Sequence, residues 1–292
     1  MDRGMSLLIF GLGYTAQYYV RHHAADGTQI VGTARTQDKV AALTQAGFNA
    51  LVFDGQHGTP ELYEALARAE HVLVSIPPDG LRDPVLDVLR DALAVTAQLT
   101  RIVYLSTVGV YGDHGGAWVD ETTAPNPKSA RSVARVAVEN EWSALAAQTG
   151  KAVHILRLAG IYGPGRNTFV NLRNGTAKRL IKPDQVFNRI HVEDIARAIR
   201  AAFAHDGGGL WNVTDDYPAP PQDVVTYGAS LLGVEPPAEQ DFASARLTAM
   251  ARSFYGENKR VSNAKMKRDL GVALAYPTYR EALAAILKDE AF

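Results

Sequence analysis

Short apolar runs and longer amphipathic segments alternate along the first two thirds of the chain. The apolar runs are rich in β-branched residues and predict strands at 6–10, 29–34, 49–53, 71–76, 101–106 and 152–158. Between them, segments rich in Ala and Leu predict helices at 14–25, 38–46, 60–69, 84–99 and 130–148. This alternation predicts an α/β fold with a Rossmann-like, doubly wound parallel sheet.

The regular alternation ends near residue 160, where a loop containing Gly and Pro begins with "IYGPGRN". The chain beyond it is less regular. We therefore predict an NAD(P)-binding Rossmann domain made of residues 1–163 and 187–217. Residues 164–186 and 218–292 are predicted to form a small C-terminal substrate-binding lobe.

Composition narrows the classes of protein that fit this fold. The chain has 292 residues, 47% of them hydrophobic, which is enough for a substantial core, and its formal net charge of -1 predicts no binding of nucleic acid. It contains no cysteine, so disulfides and thiolate metal sites are excluded, and the histidines show no metal-binding spacing. Residues 1–10 hold too short an apolar run for a signal peptide, and no run is long enough to span a membrane. We expect a cytoplasmic protein without metal or membrane partners.

The motif "GLGYTA" follows the first predicted strand directly and opens the first predicted helix. Gly11 permits a tight turn, Gly13 lets the backbone approach a pyrophosphate, and Ala16 lets the helix pack closely on the sheet. Together with Tyr14 and Thr15 they are the predicted contacts of a dinucleotide at the helix N-terminus. The alternative is that the glycines only make a sharp strand-to-helix turn.

The residues after the next strands bear on which dinucleotide is bound. Arg35 and Thr36 stand where an acidic residue would bind the adenosine 2′-hydroxyl of NAD. A guanidinium there suits a 2′-phosphate, so NADP(H) is favoured and NAD(H) is the alternative. Equally, Arg35 could be a solvated residue with Thr36 capping the next helix. Asp54 is a candidate contact of the adenine or a turn residue, and Ile76 and Pro77 are predicted to pass beneath the pyrophosphate.

Three further motifs, "YLSTVGVYGD" (104–113), "RLAGIYGPGR" (157–166) and "RIHVEDIA" (189–196), occur in this order. With them the chain resembles the extended and atypical short-chain dehydrogenase/reductases, the superfamily of the NAD-dependent epimerase/dehydratases. The resemblance covers nearly the whole chain. It implies a dinucleotide cofactor and a possible homodimer formed through the helices predicted at 84–99 and 130–148.

The resemblance also implies where catalytic residues belong. The family's Ser or Thr at the end of the fifth strand corresponds to Thr107, while its Tyr and Lys, four residues apart, correspond to Arg131 and Arg135. Arginine has no acceptor and cannot act as acid or base near neutral pH, so the usual proton transfer is not available there. Either the two arginines face the nicotinamide and favour an anionic substrate, or they lie on a solvated or subunit-contact face of the helix and the site has decayed. Tyr111 is a substitute proton donor or, alternatively, a packing residue.

Four residues at or after the sixth strand are candidates for holding the substrate: Arg157, Arg166, Asn167 and Arg189. Solvated or structural roles are the alternative for each of them. The sequence thus predicts an NADP(H)-binding epimerase/dehydratase-like or reductase-like protein acting on a small anionic or nucleotide-sugar substrate, without the family's Tyr and Lys. The other hypothesis is a non-catalytic NADP(H)-binding sensor or regulatory protein.

Overall fold

The structure, a computed structural model, describes residues 6–289 and the side chains of all of these except 249–251. Residues 1–5, part of the stretch weighed as a signal peptide, lie outside the described residues. The strands are β1 (Ser6–Phe10), β2 (Gln29–Ala34), β3 (Ala50–Val52), β4 (His71–Val74), β5 (Arg101–Thr107), β6 (Trp118–Val119), β7 (Ala152–Leu158), β8 (Gly160–Tyr162), β9 (Arg179–Ile181), β10 (Arg189–His191), β11 (Gly209–Val213), β12 (Glu239–Asp241) and β13 (Arg260–Val261).

The helices are α1 (Tyr14–His22), α2 (Gln37–Gln45), α3 (Pro60–Arg68), α4 (Pro84–Val95), α5 (Ala130–Thr149), α6 (Thr168–Arg173), α7 (Val192–Ala204), α8 (Pro221–Leu232), α9 (Ala249–Phe254), α10 (Ala264–Asp269) and α11 (Tyr279–Asp289). A single 3₁₀ turn covers Val108–Tyr111. Within residues 6–289, none of these helices is long and apolar enough to cross a membrane.

Seven strands form the main sheet in the order β11-β7-β5-β4-β1-β2-β3. The pairs of β1 with β2 and β4, of β2 with β3, and of β4 with β5 are parallel. The crossover of the strand order at β1 brings the ends of β1 and β4 together, which is the place where open sheets bind ligands. The predicted α/β, Rossmann-like fold is confirmed.

Local sequence explains where several helices begin and end. The side chains of Thr36, Thr59 and Asp83 accept hydrogen bonds from the first turns of α2, α3 and α4, and proline follows in the first turn of α3 and α4. The fourth helix was predicted to reach residue 99 but ends at Val95, because Thr96 adopts an extended conformation.

The chain divides into two compact units. Within residues 6–289, unit 1 comprises 6–107, 130–157 and 196–211, and unit 2 comprises 108–129, 158–195 and 212–289. Residues 108–129, 158–163, 187–195 and 212–217, which the sequence assigned to the Rossmann domain, fall in unit 2 by this division. There β6 pairs with β13, so that Trp118 lies opposite Arg260.

Each unit has its own apolar core. In unit 1, side chains of the sheet such as Leu8, Val72 and Tyr104 pack with Trp142 of α5, and all of them are buried. In unit 2, Phe169 of α6 packs with residues of α11 in a smaller cluster. The paired strands β8 and β10, with Tyr162 opposite His191, lie in the same unit.

Candidate functional site

The turn between β1 and α1 has the geometry of a phosphate cradle. Gly11 has a φ of 90°, and a β-carbon added there would lie 2.5 Å from Ile76 Cγ2, so no larger residue fits. Gly13 is the N-cap of α1 and makes no side-chain cap, and a β-carbon built on it meets nothing within 4 Å. A helix start that lacks a side-chain cap and has open space beside its glycine fits a pyrophosphate.

The other predicted residues of this turn contribute through the backbone or through packing. Thr15 and Ala16 are buried, Ala16 completely, so the small side chain lets α1 approach the sheet as expected. Tyr14 is partly buried at the first position of α1. Ile76 is partly buried against the turn, and Pro77 after it is exposed.

The residues expected near the adenosine have distinct local roles. Arg35 is exposed, with no hydrogen bond or ion pair in the described part of the chain. Thr36 accepts a hydrogen bond from the backbone N–H of Lys39 at 3.3 Å, which is the capping role considered as the alternative. Asp54 accepts from the backbone N–H of Gln56 at 2.8 Å and of His57 at 3.1 Å, and these bonds lower the pKa of its carboxyl. The Asp54 carboxylate therefore shapes a turn.

The two arginines of α5 lie in different surroundings. Arg131 is exposed, whereas Arg135 is partly buried and bound to β5. Arg135 Nη1 donates to the Tyr104 hydroxyl at 2.7 Å and to the Leu105 carbonyl at 2.8 Å, and its guanidinium lies 5.5 Å from the Tyr104 ring centroid. Burial raises the pKa of the Tyr104 phenol well above its ordinary value, so this phenol stays neutral. Arg135 is thus held two residues before Thr107, which is partly exposed at the end of β5.

Arg157, a predicted substrate ligand, belongs instead to the core of unit 1. It is 4% exposed, and its Nε and Nη2 atoms donate to both carboxylate oxygens of Glu139 at 2.6–3.2 Å. The Ser106 hydroxyl donates to the same carboxylate at 2.5 Å. This buried pair joins β7 to α5, so the Nε and Nη2 edge of the Arg157 guanidinium is used within unit 1.

Tyr111, weighed as a substitute proton donor, takes the alternative role. Its side chain is completely buried, and its hydroxyl donates to Asn212 Oδ1 at 2.8 Å within unit 2. A phenol enclosed in this way cannot reach a substrate without local opening.

Unit 2 contains a cavity of about 460 Å³ that is lined by parts of β8, α6, α8 and α11 together with Arg189. It brings together three predicted substrate residues, Arg166, Asn167 and Arg189. Arg166 is exposed, and Asn167 is buried. The Asn167 amide caps α6 by accepting from Phe169 N and donates to the Gly163 carbonyl, so its first role is to shape the wall.

Arg189 is the charged group inside this cavity. Its Nη1 atom donates to the carbonyls of Phe187 at 2.9 Å and Ala219 at 3.0 Å. Burial lowers the pKa of its guanidinium, because the charged form loses hydration. Asp215, which follows β11, is 1% exposed, and burial raises its pKa to about 8.

Sequence reasoning missed two members of the cavity wall. Tyr279, the first residue of α11, is 1% exposed, and its hydroxyl has no hydrogen-bond partner among the described residues. The buried hydroxyl of Thr168 has none either. No local motif marks Tyr279, because the fold brings α11 to α6 across more than a hundred residues of chain, whereas Thr168 directly follows the predicted residue Asn167. Among residues 6–289, no cluster of His, Cys, Asp or Glu could hold a metal ion.

Comparisons with known proteins place the chain in a family. Residues 81–214 match the NAD dependent epimerase/dehydratase family. Protein YeeZ of Escherichia coli K12 is 32% identical over 288 residues, covering 92% of this chain and 95% of YeeZ. A 3-diazoavenalumate denitrifying reductase of Streptomyces is 32% identical over 170 residues, covering 55% of this chain and 54% of the reductase. A solved structure of a functionally unknown conserved protein from Silicibacter pomeroyi shares 48% identity and superposes with a TM-score of 0.90, covering 98% of this chain and 99% of that one.

Proposed function

Because the chain belongs to the NAD dependent epimerase/dehydratase family, we propose that it is an NADP(H)-dependent enzyme of the reductase or epimerase type acting on a small anionic or nucleotide-sugar substrate. The observation that carries the proposal is the cradle of Gly11 and Ile76 beside the uncapped start of α1. The partial relative from Streptomyces is named as a reductase of an organic anion, which supports reduction of a small anion.

Different residues around the cradle would bind different parts of the cofactor. The first-turn N–H groups of α1 would bind the pyrophosphate, and Gly11 keeps the turn narrow enough for Ile76 to close it. The exposed guanidinium of Arg35 would pair with a 2′-phosphate, since no carboxylate stands at that position to repel one. When bound, NADP(H) supplies or accepts a hydride.

The reacting oxygen of the substrate would hydrogen-bond to the Thr107 hydroxyl at the end of β5. Neither Arg131 nor Arg135 can pass a proton near neutral pH, because an arginine remains charged. Their role is electrostatic: both add positive charge to the N-terminal turns of α5, and Arg135 is fixed by Tyr104 and Leu105. The guanidinium of Arg189 in the cavity of unit 2 forms no ion pair among the described residues, which favours an anionic substrate.

Hydride transfer from NADPH to a panel of aldehydes, ketones, keto acids and nucleotide sugars, followed by the loss of nicotinamide absorbance, tests this function. We expect turnover with an anionic member of the panel. Thr107→Ser should keep this turnover, whereas Thr107→Ala should slow it by roughly 100-fold or more, which is the effect of removing one oxyanion donor. Tyr111→Phe, which removes a hydroxyl bound to Asn212, serves as the control and should keep its turnover. Tight NADPH binding without turnover across the panel would refute the enzyme and support the sensor.

A further inference from the structure

The cavity of unit 2 combines an apolar wall with a net positive charge. Its aliphatic side chains include Ile161, Val224 and Leu283. Among the described residues that line it, two are arginines and none is acidic. A cavity of about 460 Å³ with a few polar groups in an apolar wall has the character of a small-molecule site.

The charge of Arg189 is only partly satisfied by the protein. Nη1 uses both of its hydrogens on backbone carbonyls, which leaves three of the five guanidinium donors. Arg189 forms no ion pair with a carboxylate in the described part of the chain. Asp215 interacts electrostatically with this guanidinium but forms no ion pair with it, and burial raises the pKa of the Asp215 carboxyl to about 8. Asp215 therefore offsets the charge of Arg189 only in part. Arg189 is partly buried and has no ion-pair partner among the described residues, so its remaining donors suit an anion that comes from outside.

Neutral donors accompany this cation in the same wall. The hydroxyls of Tyr279 and Thr168 are buried and have no hydrogen-bond partner among the described residues, and Tyr162 on β8 has a third such hydroxyl. Burial raises the pKa of both phenols, so they remain protonated donors. Buried hydroxyls are nearly always paired in native proteins, by protein, water or ligand, so these three hydroxyls are available to a ligand in the cavity.

The number of charges decides which anion fits. One planar guanidinium with three remaining donors matches the two oxygens of a single carboxylate. A diphosphate brings at least two negative charges, but the one other cation of the wall, Arg166, is exposed. A nucleobase needs polar partners for its edges, whereas this wall is aliphatic around Val170, Val224 and Val225.

We propose that the cavity of unit 2 binds the carboxylate of a compact, otherwise apolar organic acid, with Arg189 as its anchor and Tyr279 and Thr168 as neutral hydrogen-bond donors. This acid is the substrate class of the enzyme, a step that rests on the proposed function above.

Calorimetric titration of the full chain tests the proposal with three acids, benzoate, 3-phenylpropanoate and hexanoate. Benzamide is the neutral counterpart, and inorganic pyrophosphate and UDP-glucose represent the other anions. The variants are Arg189→Met and Tyr279→Phe, with Arg173→Met as the control, because Arg173 lies exposed on α6 outside the cavity wall. NADPH is titrated into each preparation to separate this proposal from the cofactor claim.

We expect at least one acid to bind and benzamide not to bind. Arg189→Met should weaken binding of the acid by about tenfold or more, and Tyr279→Phe should weaken it by several-fold. Arg173→Met should leave the affinity unchanged. Tyr279→Phe removes an unpaired hydroxyl, so its free form should be at least as stable as the wild type, which keeps the test valid if Arg189→Met folds poorly. The proposal is overturned if no acid binds, or if Arg189→Met and Tyr279→Phe bind the acid as tightly as the wild type. It is also overturned if UDP-glucose or pyrophosphate binds instead and Arg189→Met abolishes that binding. NADPH binding without acid binding rejects this proposal alone, whereas acid binding without NADPH binding rejects the proposed enzyme.

Discussion

Arg157→Met should destabilise unit 1 strongly while leaving ligand binding intact. Arg157 and Glu139 are each 4% exposed, and three hydrogen bonds of 2.6–3.2 Å join them. Removing the guanidinium leaves the carboxylate buried with the Ser106 hydroxyl as its remaining partner in this cluster. Breaking a buried pair in this way costs about 3–5 kcal/mol, which corresponds to a fall in Tm on the order of 10 °C.

A double-mutant cycle measures this pair directly. The variants are Arg157→Met, Glu139→Leu and both together, and chemical denaturation gives the free energy of unfolding of each. The double variant should lose much less than the sum of the single ones, because it leaves no unpaired charge in the core. Arg68→Met is the control, since the side chains of Arg68 and its partner Glu64 are both 68% exposed, and such pairs contribute about 0–1 kcal/mol.

The result that would refute this reasoning is specific. If Arg157→Met lowers the free energy of unfolding no more than Arg68→Met does, the pair does not hold α5 on β7. If Arg157→Met instead weakens the binding of the organic acids at temperatures where the variant remains folded, Arg157 is a substrate ligand.

Three further predictions follow from single side chains. Asp215→Asn should flatten the pH dependence of Tm. In the native protein Asp215 keeps its proton up to about pH 8, whereas in the unfolded chain it loses that proton near pH 4, so the stability of the wild type falls between these two pH values. Equal pH slopes for both proteins in thermal scans would contradict this. Gly11→Ala should weaken NADPH binding more than tenfold, since its β-carbon meets Ile76, whereas Gly27→Ala, also at positive φ but in open space, should spare it in the same titration. Arg131→Ala should reduce any preference for NADPH over NADP+, because a nearby cation repels the oxidised ring; identical affinities of the two redox forms in wild type and variant would reject this electrostatic role.

The main sheet was accessible from sequence because each strand is a short apolar run bounded by polar residues. β1, β2 and β7 have the predicted bounds, while β4 ends at Val74, two residues before its predicted end. Helix ends were less accessible, since they depend on local conformations such as the extended Thr96 after α4. The unit boundaries depend on pairings such as β6 with β13, which join distant segments of the chain.

The candidate site, like the fold, could be predicted from the sequence only in part. The cradle at Gly11 and Gly13 is a local feature of consecutive residues, so its pattern was visible in the motif. The partners of Arg157 and Tyr111 were not visible, because Glu139 and Asn212 lie on other elements. The same holds for Tyr279, which enters the cavity wall from the last described helix.

Titration of NADPH and NADH into the full chain, with Arg35→Ala alongside, tests the central claim most directly. The account predicts saturable binding of NADPH that is about tenfold or more tighter than that of NADH, and an Arg35→Ala variant in which this difference is lost. Failure of both dinucleotides to bind, or a preference for NADH that Arg35→Ala leaves unchanged, would contradict it.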